Sequence, residues 1–149
     1  MTAQPLVTNK STGKKVKNKG KFKLEMNLHS YNCRGLAGED RVIELENALQ
    51  KIKWGIVGLS EVRKEGENLV KRKNGNYFYY FGETKGQKGI GFYVRGDIWN
   101  KVYEIKGINE RIGLIKIDYG MKWKMTIIQV YAPILDANES DKDCFYDTL

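Results

Sequence analysis

The residue whose type and setting most invite chemistry is Glu61. It closes the run Gly55-Ile56-Val57-Gly58-Leu59-Ser60-Glu61-Val62-Arg63, in which an apolar stretch stops on a carboxylate. A second run, Leu28-His29-Ser30-Tyr31-Asn32-Cys33-Arg34-Gly35-Leu36, likewise ends its apolar alternation on a polar side chain, Asn32. One charged and one neutral oxygen donor make a fragment of a hard-cation site, because magnesium takes few protein oxygens and completes its shell with water and substrate phosphate. Taken alone, an acid and an amide at strand ends are better explained as solvated loop residues.

Other chemistries fit less well. His29 is the single histidine and falls inside a predicted strand, off the face of Asn32, and no serine elbow is present, which argues against a Ser-His-Asp hydrolase. The loop Lys85-Gly86-Gln87-Lys88-Gly89-Ile90-Gly91 lacks the Gly-Lys-Ser/Thr ending of a phosphate cradle and precedes a strand, so it reads as a flexible hairpin connection. Cys33 and Cys144 read as two reduced thiols, since neither has a second cysteine or histidine at zinc spacing.

The elements that must position Glu61 and Asn32 follow from periodicity. Ile56, Val57 and Leu59 between glycines predict a short strand buried on both faces, with Glu61 at its carboxyl end. Met26 and Leu28 alternate with Asn27 and His29, predicting a strand that reaches Asn32. Val42, Leu45, Leu49 and Ile52 recur at helical spacing behind Asp40, a candidate N-cap. Strand, helix, strand implies a parallel pair joined by a right-handed crossover, which makes Asn32 and Glu61 neighbours at one sheet edge. After a polar segment at 64–76, further strands are expected at 77–81, 90–94, 102–106, 112–118 and 122–130. The last two are joined through Tyr119-Gly120-Met121, and a short helix is expected from about Ser140.

A chain of 149 residues with a 41% apolar fraction has room for one folded domain, and no apolar run approaches a membrane span. The amino terminus lacks a signal-peptide core, which predicts an intracellular protein. The net charge of +8 is unevenly placed. Residues 1–23 hold seven lysines and no acid, so the rest carries 19 bases, the 26 less those seven, against 18 acids. Residues 1–23 therefore read as a basic disordered leader. It either holds phosphates through Lys14, Lys15, Lys17 and Lys19, serves as a nuclear address, or merely solubilises.

Five motifs together carry a resemblance. They are Tyr31-Asn32-Cys33-Arg34-Gly35-Leu36, Leu59-Ser60-Glu61-Val62-Arg63, Gly89-Ile90-Gly91-Phe92-Tyr93-Val94, Glu110-Arg111-Ile112-Gly113-Leu114-Ile115-Lys116-Ile117 and Ile127-Ile128-Gln129-Val130-Tyr131-Ala132-Pro133. In order and spacing, the chain from 24 to 149 resembles the amino-terminal half of the endonuclease/exonuclease/phosphatase family, in particular the endonuclease domain of non-LTR retrotransposons. The resemblance implies an α/β fold, the DNase I-like four-layer α/β/β/α sandwich, here incomplete.

It also implies a magnesium or manganese ion held by Glu61 and Asn32, with Asn32 helping to position phosphate and Tyr131 standing as a phenol near the scissile bond. DNA is the implied partner; Arg34 and Arg63 are candidate nucleic-acid contacts beside the motifs, Arg34 standing where some abasic-site enzymes of the family carry an acid. The family's later Gly-Asp-Phe-Asn-type and Ser-Asp-His motifs are absent from this sequence. The expectation is therefore a truncated magnesium-dependent DNA endonuclease, inactive alone and in need of the carboxy-terminal half or a protein partner. The alternatives are a catalytically dead module that binds nucleic acid or protein, and a phosphatase or phospholipase of the same family. Uncovered apolar sheet surface around the 112–130 hairpin is a further expectation.

Overall fold

The computed structural model describes residues 25–149. The basic leader, with the contacts expected of Lys14, Lys15, Lys17 and Lys19, lies outside the described residues. The order of elements is β1 (Leu28–Asn32), α1 (Glu39–Leu49), β2 (Ile56–Ser60), β3 (Gly66–Lys71), β4 (Tyr77–Gly82) and β5 (Ile90–Val94). There follow α2 (Gly96–Trp99), β6 (Val102–Asn109), β7 (Ile112–Asp118), β8 (Lys124–Val130) and α3 (Glu139–Thr148). Two sheets form: a five-stranded one in the order β1-β2-β5-β4-β3 and a three-stranded one in the order β6-β7-β8. The fold is mixed α/β, an incomplete sandwich.

Period-two alternation divides the side chains between two cores. Val57, Leu59, Phe78 and Tyr93 point to one face of the large sheet and meet Val42, Leu45 and Leu49 of α1. Ile56, Tyr79, Ile90, Phe92 and Val94 point to the other and meet Ile115 and Ile117 of the small sheet. The layers are thus helix, sheet, sheet. Every residue of β2 is buried, because it carries a core on each face. Burying a side chain such as Leu59 contributes roughly 2 kcal/mol. Gly58, between them, leaves room for a neighbour: a Cβ there would stand 1.9 Å from Gln129 Oε1 of β8.

The expected parallel pairing is observed. β1 and β2 run side by side with Asn32 opposite Ser60. Cys33 N to Ser60 O at 2.9 Å, Gly35 N to Glu61 O at 2.8 Å and Leu36 N to Val62 O at 2.9 Å prolong the ladder past both strand ends. Beyond β1, however, no strand pairs among the described residues, and all five of its residues are exposed, Leu28 included. Of the two residues that share a face by alternation, Met26 packs against the core and Leu28 is 48% exposed.

Other boundaries shift for local reasons. Helix α1 begins one residue before Asp40 and takes Gly38 as its N-cap without a side-chain cap, leaving Asp40 in the first turn. It stops at Leu49, where Lys51 N bonds Ala48 O and Ile52 N bonds Leu49 O in tighter i to i+3 closures that leave Ile52 exposed. The polar 64–76 segment contains β3, an exposed edge strand paired with β4. Strand β6 runs to Asn109, and β8 starts at Lys124 after a turn in which Gly120, Met121 and Lys122 all have positive φ. Helix α3 starts at Glu139 and is capped by Asn138, whose Oδ1 accepts from Asp141 N at 2.7 Å. Among the described residues both cysteines are free, Cys33 buried and Cys144 exposed. None of the described helices is long and apolar enough to cross a membrane.

Candidate metal and phosphate site

Glu61 follows the last residue of β2, and its backbone turns left-handed, φ 53°, so the strand cannot continue. Its carboxylate is only 17% exposed and receives three donors. Asn32 Nδ2 donates to Oε1 at 2.8 Å, Tyr131 O–H donates to the same oxygen at 3.0 Å, and an Arg63 amino group donates to Oε2 at 2.9 Å. The elements explain the convergence. The parallel register brings β1 and β2 to one edge, and Tyr131, just past β8, arrives from the second sheet. Arg111 fastens Tyr131 in place: Tyr131 N donates to Arg111 O at 2.7 Å, and Arg111 Nη1 donates back to Tyr131 O at 3.1 Å. The Arg111 guanidinium also lies 5.1 Å from the centre of the Tyr131 ring.

The electrostatics keep Glu61 ionised. The Asn32 hydrogen bond foremost, then those of Tyr131 and Arg63, outweigh desolvation and hold its carboxyl below the ordinary value. Tyr131 moves the other way, because desolvation and the adjacent carboxylate push its phenol up. Burial, followed by the Glu61 charge, pushes the Cys33 thiol up to about 12, so it stays protonated beside the site.

Backbone strain gathers here. Of the six non-glycine residues with positive φ among the described residues, Arg34, Glu61, Arg63 and Lys88 surround this edge. Each such conformation costs on the order of 1 kcal/mol and persists only where its surroundings hold it. Around Glu61 the holding bonds are backbone ones: Val62 N to Gly89 O at 3.1 Å, Arg63 N to Lys88 O at 2.8 Å and Gly86 N to Arg63 O at 3.3 Å. The Glu83–Gly89 loop is therefore fastened to the 61–63 segment along one side, which the reading as a flexible connection did not anticipate. With it, Glu61, Arg63, Gly86, Gln87, Lys88 and Tyr131 line an open cavity of about 330 Å³.

Of the residues singled out in the sequence, Asn32, Glu61, Tyr131 and Arg63 meet. Arg34 is exposed and takes part through its backbone N–H, which donates to Asn32 Oδ1 at 3.1 Å. That bond orients the Asn32 amide so that nitrogen, not oxygen, faces Glu61. His29 is apart, its Nε2 2.9 Å from Lys53 O. Lys88 and Arg111 were not foreseen as site residues. Lys88 pairs with Glu110 at 2.6 Å, and only the fold brings these turns to the end of β2.

The donor set decides which cation fits. No group of three or more His, Cys, Asp or Glu side chains among the described residues could hold a metal ion. That is too few for a structural zinc, which takes four protein ligands. A single ionised carboxylate, largely sheltered, is within the one or two through which magnesium or manganese is held while keeping several waters.

No family model matches the chain. It is 27% identical over 129 residues to craniofacial development protein 2 from Bos taurus, a match covering 85% of this chain and 21% of that protein. To craniofacial development protein 2 from Tragulus javanicus it is 26% identical over 129 residues, covering 85% of this chain and 22% of that protein. The chain thus spans about a fifth of the length of the curated relatives it matches, and the similarity, though distant, extends over most of its own length.

Proposed function

We propose that this chain supplies one wall of a magnesium-dependent phosphodiesterase site acting on DNA, of the retrotransposon endonuclease type. The observation that carries the reading is the convergence of Asn32, Tyr131 and Arg63 on the Glu61 carboxylate at the shared end of two parallel strands. The sequence motifs and the distant similarity to craniofacial development protein 2 support it. Glu61, alone or with the Asn32 amide turned, is the group that would hold a magnesium or manganese ion. When bound, such an ion supplies charge stabilisation for a phosphoryl oxygen.

The chain's own residues do the rest. Tyr131 presents a protonated phenol, and Arg63 and Lys88 positive charge, for a phosphate in the cavity, while the Asn32 amide holds Glu61 from behind. Neither an imidazole nor a second carboxylate lines that cavity. Water activation is therefore proposed to need a group from a carboxy-terminal half or a partner protein, and the isolated chain binds DNA without efficient cleavage. The lysine-rich 1–23 stretch is proposed to add phosphate affinity and nuclear targeting.

A second reading is favoured by one feature. Three internal donors already satisfy Glu61, as in a module that keeps the sheet for binding nucleic acid or protein and has no use for a metal. Plasmid nicking with magnesium and with chelator, beside gel shifts over a salt series, separates the two. The metal-site reading predicts binding that falls with salt, and slow nicking that requires magnesium and disappears in Glu61→Ala. Binding that is indifferent both to magnesium and to Glu61→Ala favours the second.

A further inference from the structure

We infer that Arg63 is the resident counter-cation of the Glu61 carboxylate, and that it exchanges partners, yielding Oε2 to a divalent cation and turning to a phosphate in the cavity. This rests on the proposed function and names a residue that couples its two ligands.

The three donors on Glu61 are not equivalent. Asn32 and Tyr131 share Oε1 and are neutral, and each is fastened by a further bond, Asn32 by Arg34 N–H and Tyr131 by Arg111. Arg63 alone holds Oε2, and its side chain is 42% exposed. Displacing a neutral donor would bring a cation beside a carboxylate still paired with Arg63. Removing Arg63 exchanges one positive charge for another.

The geometry leaves Arg63 free to move at its tip while its base stays fixed. Its backbone is clamped on both sides, N–H to Lys88 O at 2.8 Å and C=O from Gly86 N at 3.3 Å, in a left-handed conformation, φ 57°. Between Glu61 and Arg63, the wholly buried Val62 pins the segment to the core. The Arg63 stem passes over Gly35, where a Cβ would stand 3.6 Å from Cδ, so a substituted residue 35 would meet the stem. The guanidinium thus pivots at the cavity mouth beside Gly86, Gln87 and Lys88, where its five donors suit a phosphate. The arginine side of the pair is open to solvent, 42% exposed, so a divalent ion can reach Oε2 and compete for it.

The test uses the full chain as wild type, Arg63→Gln, Arg63→Lys and Glu61→Gln, with Mn2+ alone titrated by electron paramagnetic resonance of the free ion. A second titration adds inorganic phosphate at saturating Mn2+. The expected result is a roughly two- to fivefold gain in Mn2+ affinity in Arg63→Gln, together with a loss of phosphate affinity in the same variant. Arg63→Lys keeps Mn2+ affinity near wild type and recovers phosphate binding in part. Weaker Mn2+ binding in Arg63→Gln would make Arg63 a support for the carboxylate and overturn the exchange. So would a variant that changes only the melting temperature. If wild type and Glu61→Gln bind Mn2+ equally or not at all, the metal reading itself fails, a result separable from failure of the exchange alone.

Discussion

A carboxylate surrounded by donors is a different reagent from one in water. At Glu61 the Asn32 amide is the strongest influence on ionisation, and Tyr131 and Arg63 add to it. Because its folded-state pKa is depressed, the group contributes stability that is present above its unfolded pKa and lost as pH falls through the folded one. Asn32→Ala is therefore expected to raise the Glu61 pKa, measured by carboxyl NMR titration, and to narrow the acid side of the stability profile. Tyr131→Phe should do the same to a smaller extent and cost about 1 kcal/mol in a urea melt. An Asn32→Ala variant with an unchanged Glu61 pKa would show that the amide does not govern the carboxylate. The protonated Cys33 thiol beside it contributes apolar bulk.

At the scale of elements, the close approach of the two sheets is set where side chains are absent. A Cβ on Gly58 would stand 1.9 Å from Gln129 Oε1, and one on Gly107 would stand 2.2 Å from Phe81 Cγ. Gly58→Ala and Gly107→Ala are each expected to lower stability by about 1–3 kcal/mol through overpacking, read as a lower urea midpoint. Gly107→Ala should be the costlier, because a ring gives less than an amide tip.

The sequence was most legible where burial imposed a pattern, as in β2 with its unbroken apolar run and in the α1 spacing of Val42, Leu45 and Leu49. Exposed pairing left weaker traces. Strand β3 is polar because it lies at an edge, and β1 alternates like a half-buried strand although its five residues are exposed. The same contrast holds at the site. Asn32 and Glu61 announced themselves at strand ends, whereas Arg111 and Lys88 sit in turns whose position near Glu61 depends on long-range packing.

For the molecule as a whole, the three layers leave apolar side chains at the surface. Ile108 and Ile128 on the small sheet are 43% and 52% exposed, and Ile134 and Leu135 before α3 are more so. The chain is expected to bind a hydrophobic dye in its native state and to associate at high concentration. A dye signal no higher than that of an ordinary soluble monomer would show that these residues form no continuous patch.

The central claim, that Glu61 and its neighbours hold a divalent cation, is tested most directly by paramagnetic broadening. With Mn2+ added to isotopically labelled protein, backbone amide signals of residues 32–34, 61–63 and 86–88 should broaden together, and Glu61→Gln should restore them. Broadening centred elsewhere, for instance on the exposed acids of α3, or an effect that survives Glu61→Gln, would contradict the account.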